Sequence, residues 1–543
     1  MNTTEWNLTE HMYKRIYNFN KAAYIFHDEE ITYRDLQLKS QSIAASFLAK
    51  GIGPRDRVLL LLNDTPAFIM SFLAVIQIGA IPVPLNPRSK IKSIRHYLND
   101  SGASMVIVEP ETIETINSLS RISLHMLTII KQDLYSSENK DHMNNNDFLV
   151  SSTPLSECCD YSPLTNYYNI PLESTVFWQY TSGTTGLPKA VIHDGIGMIQ
   201  HSSMYTETIL ESSSDDIYYS TAKLFFGYGL GNSFFFPFYT NSTTILDDQW
   251  PTSDKVFNNI CKNKPTRIFS VPILYKQLLE HGDDISRELD EKSRFISAGS
   301  PLPGALFNSW KYRHNIILLD GVGTTEMGHI FITNTIDNAT AGGLSSIVPG
   351  YEVKLVDINS SLTNPQRGVL HVKGPSMSLG YYGLPVKNKE KYIDGWYSTG
   401  DVYIAEKSNF KFVGREDELF KIKGRWVSPL DIENYILSNF NKIKSTALVS
   451  FTDNDDQTSS VLFYVIESDL DIHSDITSQI KEMILEGFES HCLPSLFRRV
   501  SKLPINDNGK LMRQVLINDI QSEIKNTLYT TPSKQKDISL SNS

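Results

Sequence analysis

The chain has 543 residues, of which 41% are hydrophobic and 20% charged, a composition typical of a folded globular protein and not of a disordered or fibrous one. This length exceeds the size at which a single hydrophobic core stops growing, so we expect a large domain and a smaller one. The 50 basic and 61 acidic residues give a net charge of −11, which argues against a general nucleic-acid-binding surface. Any anion site must therefore be local.

Cysteine usage and hydropathy further narrow the class of protein to which the chain can belong. The four cysteines show neither C-x-x-C nor zinc spacing, and they are too few for a disulfide framework. The polar segment from Met1 to Glu10 has no secretory pattern, and the longest apolar stretch, Ala67 to Pro84, is too short and interrupted for a membrane span. We therefore expect a soluble cytoplasmic protein with neither a membrane nor a nucleic-acid partner.

Residues 21 to 110 alternate between helical and strand patterns, which predicts βαβ units and an α/β fold. The predicted elements are the helix Tyr33–Leu48, the strand Val58–Leu62, the helix Ala67–Ile78 and the strand Met105–Val108. Asn63-Asp64-Thr65-Pro66 predicts a helix cap with Pro66 in the first turn. Residues 136 to 173, rich in Asn, Ser, Asp and Pro, predict an irregular excursion.

The segment from Tyr180 to Lys189 follows an apolar strand pattern and has Ser, Thr, Gly or Lys at seven of its ten positions. Glycines let backbone N–H groups turn inward and hydroxyls add donors, so we interpret it as a loop that grips a triphosphate. It is not the common P-loop, because only two residues separate Gly183 from Gly186 and Lys189 follows a proline. The alternative is an ordinary polar surface turn, which this concentration of donors disfavours.

The segment from Ser220 to Phe238 sets three alternating glycines among aromatic residues. Glycine allows close approach of the backbone to a flat ligand, and Phe225, Phe226 and Tyr228 would supply the walls of an aromatic-ring pocket. For Phe234 to Phe236, a place in the core is equally consistent. The third position of a dinucleotide-binding fingerprint is Asn232, which argues against that motif.

Three further strand patterns, Arg267–Val271, Arg294–Ala298 and Ile316–Leu319, each end in a turn rich in glycine or proline. In open α/β sheets, ligands bind beyond the carboxyl ends of the strands. The turns Ser297–Pro301 and Gly321–His329 would therefore form one site with the Tyr180–Lys189 loop if all three converge.

In the last part of the chain, the pattern of helices and strands differs from that of the preceding part and predicts a small α+β domain. Its predicted elements are the helix Pro429–Asn439, the strands Thr446–Phe451 and Val461–Ile466 and the helix Ile476–Phe488. Ahead of it, Tyr397 to Asp401 ends a short segment with an aspartate that can accept two hydrogen bonds from a ribose diol. The turn from Leu503 to Arg513 presents one lysine, and the polar tail from Gln521 onward is predicted to be disordered.

Taken together, these motifs resemble the acyl-adenylate-forming (AMP-binding) superfamily. The matching stretches, in the order of the family, are Thr181 to Lys189, Gly323 to Glu326, Tyr397 to Asp401, Gly414 to Lys421 and Asn508-Gly509-Lys510. A departure is Ala190, where members of the family usually carry glycine, and we expect only a local effect.

Within the superfamily the chain resembles the benzoate-type aryl-CoA ligases, and among these the anthranilate-CoA ligases of alkylquinolone biosynthesis. The stretches that carry this resemblance are Ala222 to Asn232, Leu246 to Pro251, Glu326 to Phe331 and Asn506 to Leu511. The resemblance implies a large adenylate-forming domain of packed α/β sublobes, residues 1–416, and a small mobile α+β domain, residues 417–520. Residues 521–543 would form the disordered tail.

In this family an acid attacks the α-phosphate of Mg-ATP, pyrophosphate leaves, and the thiol of CoA displaces AMP. The resemblance implies that Lys510, Thr325 and Glu326 are catalytic, with Glu326 as the Mg²⁺ ligand. The implied ATP-binding residues are Thr181, Ser182, Gly183, Thr184, Thr185, Gly186, Lys189, Gly299, Ser300, Gly321, Gly323, Thr324, Asp401 and Arg415. The implied lining of the acyl pocket is Gln179, Phe226, Gly227, Tyr228, Ala298, Gly299, His329 and Ile330.

The resemblance also implies a domain rotation about Asp417 that brings Gly424 to the tunnel for the CoA thiol. The expected ligands are ATP, Mg²⁺, CoA and an aromatic acid, with anthranilate first and benzoate next. Two alternatives stay open: loading of the aryl group onto a carrier protein, and a catalytically silent relative that only binds ligands. A homodimer is also compatible with the family.

Overall fold

The computed structural model describes residues 5–120, 128–134, 152–181, 187–281, 285–290, 292–357, 366–407, 409–440, 442–453, 457–466, 476–505 and 511–530. Within these ranges, no helix combines the length and the apolar character that crossing a membrane requires. The chain divides into two compact units, one of residues 1–399 and 403–412 and one of residues 400–402 and 413 onward. The chain passes between the units within the strands Trp396–Glu406 and Asn409–Arg415.

The first unit is an α/β structure whose largest sheet is mostly parallel. In order across that sheet, the strands are Ser346–Ile347, Ile330–Thr333, Leu318–Gly323, Arg294–Ser297, Arg267–Ser270, Ile217–Ser220, Thr243–Ile245, Ala22–Phe26 and Glu29–Thr32. Interior neighbours run parallel and the pairs at both edges run antiparallel. Parallel neighbours require crossover connections, which place helices on the faces of the sheet and bury both faces. The predicted α/β class is confirmed.

Smaller sheets complete this unit. The strands of a parallel sheet are Ile81–Leu85, Arg57–Leu61, Met105–Val108, Thr128–Lys131 and Ser152–Pro154. A three-stranded antiparallel sheet consists of Phe177–Thr181, Lys189–His193 and Gly380–Tyr381, and a further sheet contains Glu352–Val356, Arg367–Lys373, Trp396–Glu406 and Tyr392–Ile393. The short strands Glu5–Trp6 and Ile170–Pro171 pair with each other. The antiparallel sheet carries the predicted triphosphate loop, so it positions part of the candidate site.

The α-helices of the first unit cover these sheets. They are Leu8–Arg15, Tyr33–Ala49, Pro66–Gln77, Ile91–Ser101, Ile113–Ser120, Leu155–Cys158, Ile196–Thr208, Gly227–Leu230, Phe236–Thr240, Ser253–Asn263, Pro272–His281, Gly304–His314 and Pro385–Lys391. Short 3₁₀ turns lie at Pro110–Thr112, Ile285–Glu288 and Thr325–Met327, and a π-helical segment lies at Gly231–Phe235. Phe234 to Phe236 are fully buried, and the Phe234 ring lies 5.1 Å from that of Phe72, so these aromatics belong to the core.

Local sequence explains where two of these helices begin. Thr32 caps the Tyr33–Ala49 helix through a capping box in which its hydroxyl oxygen accepts from the Asp35 N–H at 3.1 Å. Pro66 opens the next predicted helix as expected, but Thr65 makes no side-chain cap bond. Asp64 instead accepts a hydrogen bond from the Leu224 N–H at 3.0 Å, which ties this turn to the aromatic segment.

The second unit is a small α+β structure. Its strands are Phe420–Ile422, Arg425–Val427, Ile443–Thr452, Thr458–Ile466 and Leu496–Arg499, and its helices are Pro429–Asn439, Ile476–Gly487, the 3₁₀ turn Ser490–Cys492 and Arg513–Thr530. Arg513 donates to both carboxylate oxygens of Glu433, at 2.6 and 2.8 Å, and to the Leu448 carbonyl at 3.0 Å. Glu433 is buried, so this paired contact fixes the start of the last helix.

Two predictions about local structure were wrong. The tail was predicted to be disordered from Gln521, but the helix Arg513–Thr530 continues through residues 521–530, which contain neither glycine nor proline; residues 531–543 lie outside the described residues. Tyr397 to Asp401 was predicted to end a short segment, but it lies inside the strand Trp396–Glu406, where Thr399 bonds the Leu370 carbonyl at 2.8 Å.

Candidate active site

The predicted triphosphate loop connects the two strands of a β-hairpin. Thr181 pairs with Lys189 at the loop end of the antiparallel strands Phe177–Thr181 and Lys189–His193. Ser182, Gly183, Thr184, Thr185 and Gly186 lie outside the described residues. The register therefore places Thr181 and Lys189 opposite each other where the loop begins and ends.

A buried carboxylate and three tyrosines lie beside this hairpin. The Tyr381 hydroxyl donates to Glu326 Oε1 at 2.6 Å, and the Lys189 Nζ lies 4.9 Å from the centre of the Tyr381 ring. Burial, followed by the negative charge of Glu326, raises the pKa of Tyr381, Tyr392 and Tyr397 above the usual value of a phenol. The phenols therefore stay protonated, and the carboxylate and the lysine ammonium both lie against the Tyr381 side chain.

The Thr-Glu motif is a single 3₁₀ turn, Thr325–Met327, held at both ends. The Thr324 hydroxyl accepts from the Met327 N–H at 3.2 Å, and the Glu326 carbonyl accepts from the Ser378 N–H at 2.7 Å. Gly323 is required just before this turn, because a Cβ there would lie 2.5 Å from the His329 carbonyl oxygen. These contacts fix the backbone from which the Glu326 side chain projects.

The turn after the strand Arg294–Ser297 meets the neighbouring strand Leu318–Gly323 at Asp320. Its carboxylate accepts from the Gly321 N–H at 3.1 Å and from the Leu302 N–H at 3.3 Å, and burial raises its pKa to about 7. Gly299 and Ser300, in the turn just before Leu302, are exposed, and Gly299 adopts a φ of +87° that favours glycine. The structure therefore brings the turn at Gly299 close to Gly321, which lies inside the strand Leu318–Gly323 and not in the turn that was predicted to begin there.

Most of the predicted acyl-pocket residues surround the short helix Gly227–Leu230. A Cβ at Gly227 would lie 2.7 Å from the Gly328 carbonyl and 3.2 Å from Gln179 Oε1, so the two backbones and the glutamine approach one another closely. Gln179 is 2% exposed, and its Nε2 has no hydrogen-bond partner among the described residues. A buried donor of this kind is free to bond a ligand.

Tyr228 and His329 form the aromatic side of the same region, with ring centres 5.3 Å apart. The Tyr228 hydroxyl donates to the Ile296 carbonyl at 3.1 Å, in the strand that ends just before Ala298. Ile330, adjacent to His329, packs against Gly321, where a Cβ would lie 2.8 Å from the isoleucine side chain. Phe226 lies further out, with its ring 4.3 Å from that of Phe225.

The remaining predicted residues belong to the second unit. Arg415 Nη1 bonds Asp401 Oδ1 at 2.9 Å, and Arg415 Nε lies 3.5 Å from Asp417 Oδ1. Gly424 has a φ of +78° in the turn between the strands Phe420–Ile422 and Arg425–Val427. The predicted ribose pair is thus brought together with the predicted hinge residue, whereas Lys510 lies outside the described residues.

Sequence analysis missed several residues that shape these surroundings. Lys223, which is buried, donates to the carbonyls of Asp247 and Gln249 at 2.6 and 2.5 Å and lies 3.9 Å from Asp64. Burial raises the pKa of Asp64 to about 6, although Lys223 acts in the opposite direction. These contacts hold the chain just before the Gly227 helix. Like the Tyr381 contact, they join segments far apart in sequence, so no local pattern could have indicated them.

Comparisons with known proteins agree over almost the whole chain. The family model of AMP-binding enzymes matches residues 15–382. The chain is 33% identical over 529 residues to the anthranilate-CoA ligase of Pseudomonas aeruginosa, covering 96% of this chain and 97% of that protein. It is 30% identical over 519 residues to a 4-hydroxybenzoate-CoA/benzoate-CoA ligase of Rhodopseudomonas palustris, covering 91% and 90%.

A crystal structure of an anthranilate-CoA ligase in complex with anthranoyl-AMP matches with a TM-score of 0.84 at 25% identity, covering 97% of this chain and 98% of that one. The likeness therefore extends beyond the segment that the family model matches.

His193 generates a pH prediction. Burial lowers its pKa to about 4, although a hydrogen bond with the Thr325 backbone acts in the opposite direction. Between about pH 6.5 and about pH 4, His193 is protonated in the unfolded chain but not in the folded one. The free energy of unfolding therefore decreases as the pH falls through this range. Glutamine does not titrate, so His193→Gln should show a shallower pH dependence. Between about pH 5.5 and about pH 4.5, the decrease in its free energy of unfolding should be ~1 kcal/mol per pH unit smaller than the decrease in the wild type.

Urea unfolding followed by tryptophan fluorescence measures this slope. The control is Phe72→Leu, which trims a fully buried ring that lies 5.1 Å from that of Phe234 and removes no titrating group. It should lower stability at every pH and leave the slope unchanged. An identical slope in His193→Gln and in the wild type would contradict the prediction.

Proposed function

The chain belongs to the family of AMP-binding enzymes, and on that basis we propose that it is an AMP-forming aryl-CoA ligase. The carboxylate of an aromatic acid attacks the α-phosphate of ATP, pyrophosphate leaves, and the CoA thiol then displaces AMP to give the aryl thioester. The preferred acid is anthranilate, with benzoate the next candidate, and the product supplies quinolone-type secondary metabolism. The two relatives named above, which act on aromatic acids by their names, support the substrate class.

The observation that supports this proposal is the packing of backbone and aromatic rings around the helix Gly227–Leu230. Glycine at 227 admits close approach of two backbones, and the rings of Tyr228 and His329 lie side by side. Flat apolar walls with few polar groups are typical of a site for a planar ring. Gln179 supplies a buried donor beside them, and Ala298 and Ile330 supply small apolar surfaces.

The cluster at Glu326 fits the charge that ATP brings. Tyr381 uses only Oε1 of that carboxylate, so lone pairs remain for a hard cation such as Mg²⁺. Within the described residues, no group of three or more acidic, histidine or cysteine side chains forms a metal site, so the remaining ligands would come from phosphates and water. Bound there, Mg²⁺ would neutralise charge on the leaving pyrophosphate. Lys189 and the hydroxyls of the loop would hold the β- and γ-phosphates, and Thr325 would contact the α-phosphate.

The second unit supplies the ribose pair and the catalytic lysine in this proposal. Asp401 would accept from the ribose hydroxyls, oriented by Arg415, which bonds it at 2.9 Å. Lys510 would stabilise the charge that accumulates between carboxylate and α-phosphate. Rotation about Asp417 would then bring Gly424 to the path of the thiol, and free CoA would be the acceptor.

A panel of acids tests the proposed function. The protein is incubated with ATP, Mg²⁺ and CoA together with anthranilate, benzoate, hydroxybenzoates or medium-chain fatty acids, and thioesters and AMP are quantified by mass spectrometry. We expect anthraniloyl-CoA to form fastest and benzoyl-CoA next, with activity lost on adding EDTA and restored by excess Mg²⁺. Thioesters from fatty acids alone would contradict the aryl assignment. Aryl-AMP without thioester would favour a carrier-protein acceptor, and no product at all would favour a silent relative.

Lys510→Ala tests the role of the lysine. ATP-pyrophosphate exchange should fall by about a hundredfold or more, comparable to the loss of one preorganised charge-stabilising donor. Thioester formation from supplied aryl-AMP should largely survive, because the proposed charge develops only in the first half-reaction. Lys502→Ala, a substitution of an exposed lysine in the same unit, is the control and should leave both rates unchanged. Near-normal exchange in Lys510→Ala would contradict the assignment.

A further inference from the structure

A directional chain of hydrogen bonds ends at His329. The Ser220 hydroxyl donates to the Ala222 carbonyl at 3.2 Å, and the Asn232 Nδ2 donates to the Ser220 oxygen at 3.2 Å. Because the hydroxyl hydrogen of Ser220 is committed to a carbonyl, its oxygen must accept from the amide. The orientation of the Asn232 amide follows, with Oδ1 facing His329 Nε2 at 3.0 Å.

This orientation fixes the tautomer of His329. An amide oxygen only accepts, so Nε2 must carry a hydrogen. Burial, helped by the neighbouring His201, lowers the pKa of His329 well below 6.5, although a hydrogen bond with the Tyr228 backbone acts in the opposite direction. A neutral imidazole has one N–H, so Nδ1 presents a lone pair.

Packing shows which edge of the ring faces the π-helical segment Gly231–Phe235. A Cβ at Gly231 would lie 2.4 Å from His329 Cδ2 and 2.9 Å from Nε2, so this edge faces the π-helical segment. Nδ1 is on the side of the ring remote from Cδ2, and it has no hydrogen-bond partner among the residues described here. The side chain is 3% exposed, so this acceptor is shielded from bulk solvent. An unpaired buried acceptor is costly, and a ligand that donates to it removes that cost.

We propose that His329 Nδ1 accepts a hydrogen bond from a donor group on the ring of the aromatic acid, and that Asn232 is the positioning residue that holds His329 in this tautomer. The inference rests on the proposed function and specifies its substrate class as acids with a ring N–H or O–H, of which anthranilate is one. Unsubstituted benzoate would leave Nδ1 unpaired. A site built to bond a donor discriminates far more strongly than one that recognises shape alone.

Asn232→Leu tests the positioning role, because leucine is of similar size and has no acceptor. The probes are anthranilate and 2-methylbenzoate, which has a methyl group in place of the amine, and kcat/KM is measured for each by pyrophosphate release. We expect the ratio of anthranilate to 2-methylbenzoate to fall at least about tenfold in Asn232→Leu, as expected when a buried hydrogen bond loses its alignment. The value for 2-methylbenzoate should change by less than about threefold, since shape recognition is retained.

Tyr351→Phe is the matched control. It removes the hydroxyl that bonds His201 Nδ1 at 2.9 Å, in the same buried cluster, and leaves the Asn232 contact intact. Tyr351→Phe should change kcat/KM by the same factor for anthranilate and for 2-methylbenzoate. An unchanged ratio of kcat/KM for the two acids in Asn232→Leu would overturn the proposal. If both values fell by the same factor, Asn232 would have a merely structural role.

The tautomer is measured independently of turnover. Nitrogen-15 spectra of histidine-labelled protein, with His329→Gln for assignment, should show Nε2 protonated and Nδ1 unprotonated. A protonated Nδ1 beside normal turnover of aromatic acids would overturn this inference alone. Failure of every aromatic acid to react, with Nδ1 unprotonated, would instead overturn the proposed function and the ligand assigned here.

Discussion

The hydrogen bond from Tyr381 to Glu326 is the contact on which the arrangement of the first unit depends. Tyr381 lies on a strand paired with Lys189–His193, so the bond joins the hairpin of the triphosphate loop to the Thr325–Met327 turn. A buried carboxylate is unfavourable unless donors satisfy it, and the raised pKa of Tyr381 keeps that donor protonated. The carboxylate and the lysine ammonium are therefore held in place by the protein itself.

Burial also shifts the protonation of other polar side chains in the first unit. Burial keeps His193, His201 and His329 neutral, and it raises the pKa of Asp320 to about 7. In such surroundings a fixed dipole interacts more strongly with a charge than it would in water. In the proposed reaction, the charge would arrive with ATP and the acid, and preorganised donors would stabilise it without rearrangement.

Periodicity and turn chemistry predicted much of the fold. The helix Pro429–Asn439 and the strand Met105–Val108 begin and end where the sequence predicted, because an apolar pattern and clear boundary residues coincide there. The helix beyond Gln521 was not predicted, since a polar composition does not by itself exclude helix. The turn after the strand Arg294–Ser297 lies against the neighbouring strand Leu318–Gly323, because parallel neighbouring strands place their ends together, whereas residues 182–186 of the third turn lie outside the described residues.

The candidate site could be predicted only where it consists of short motifs. Thr325, Glu326, Asp401 and Arg415 were predicted from such motifs, and their roles stay predictions. Tyr381 contacts Glu326 across 55 residues and Asn232 contacts His329 across 97, and such contacts depend on tertiary packing that no local pattern records. Gln179 was found by resemblance, but its unpaired donor is visible only in the structure.

The central claim is that the aromatic carboxylate attacks the α-phosphate of ATP. Reaction of anthranilate labelled with oxygen-18 in both carboxylate oxygens, with ATP and CoA in unlabelled water, tests it most directly. The proposed chemistry places one labelled oxygen in AMP and leaves one in the thioester, because the bond to phosphorus forms through the carboxylate and the thiol later cleaves the acyl–oxygen bond. Unlabelled AMP, or label in inorganic phosphate, would contradict the account.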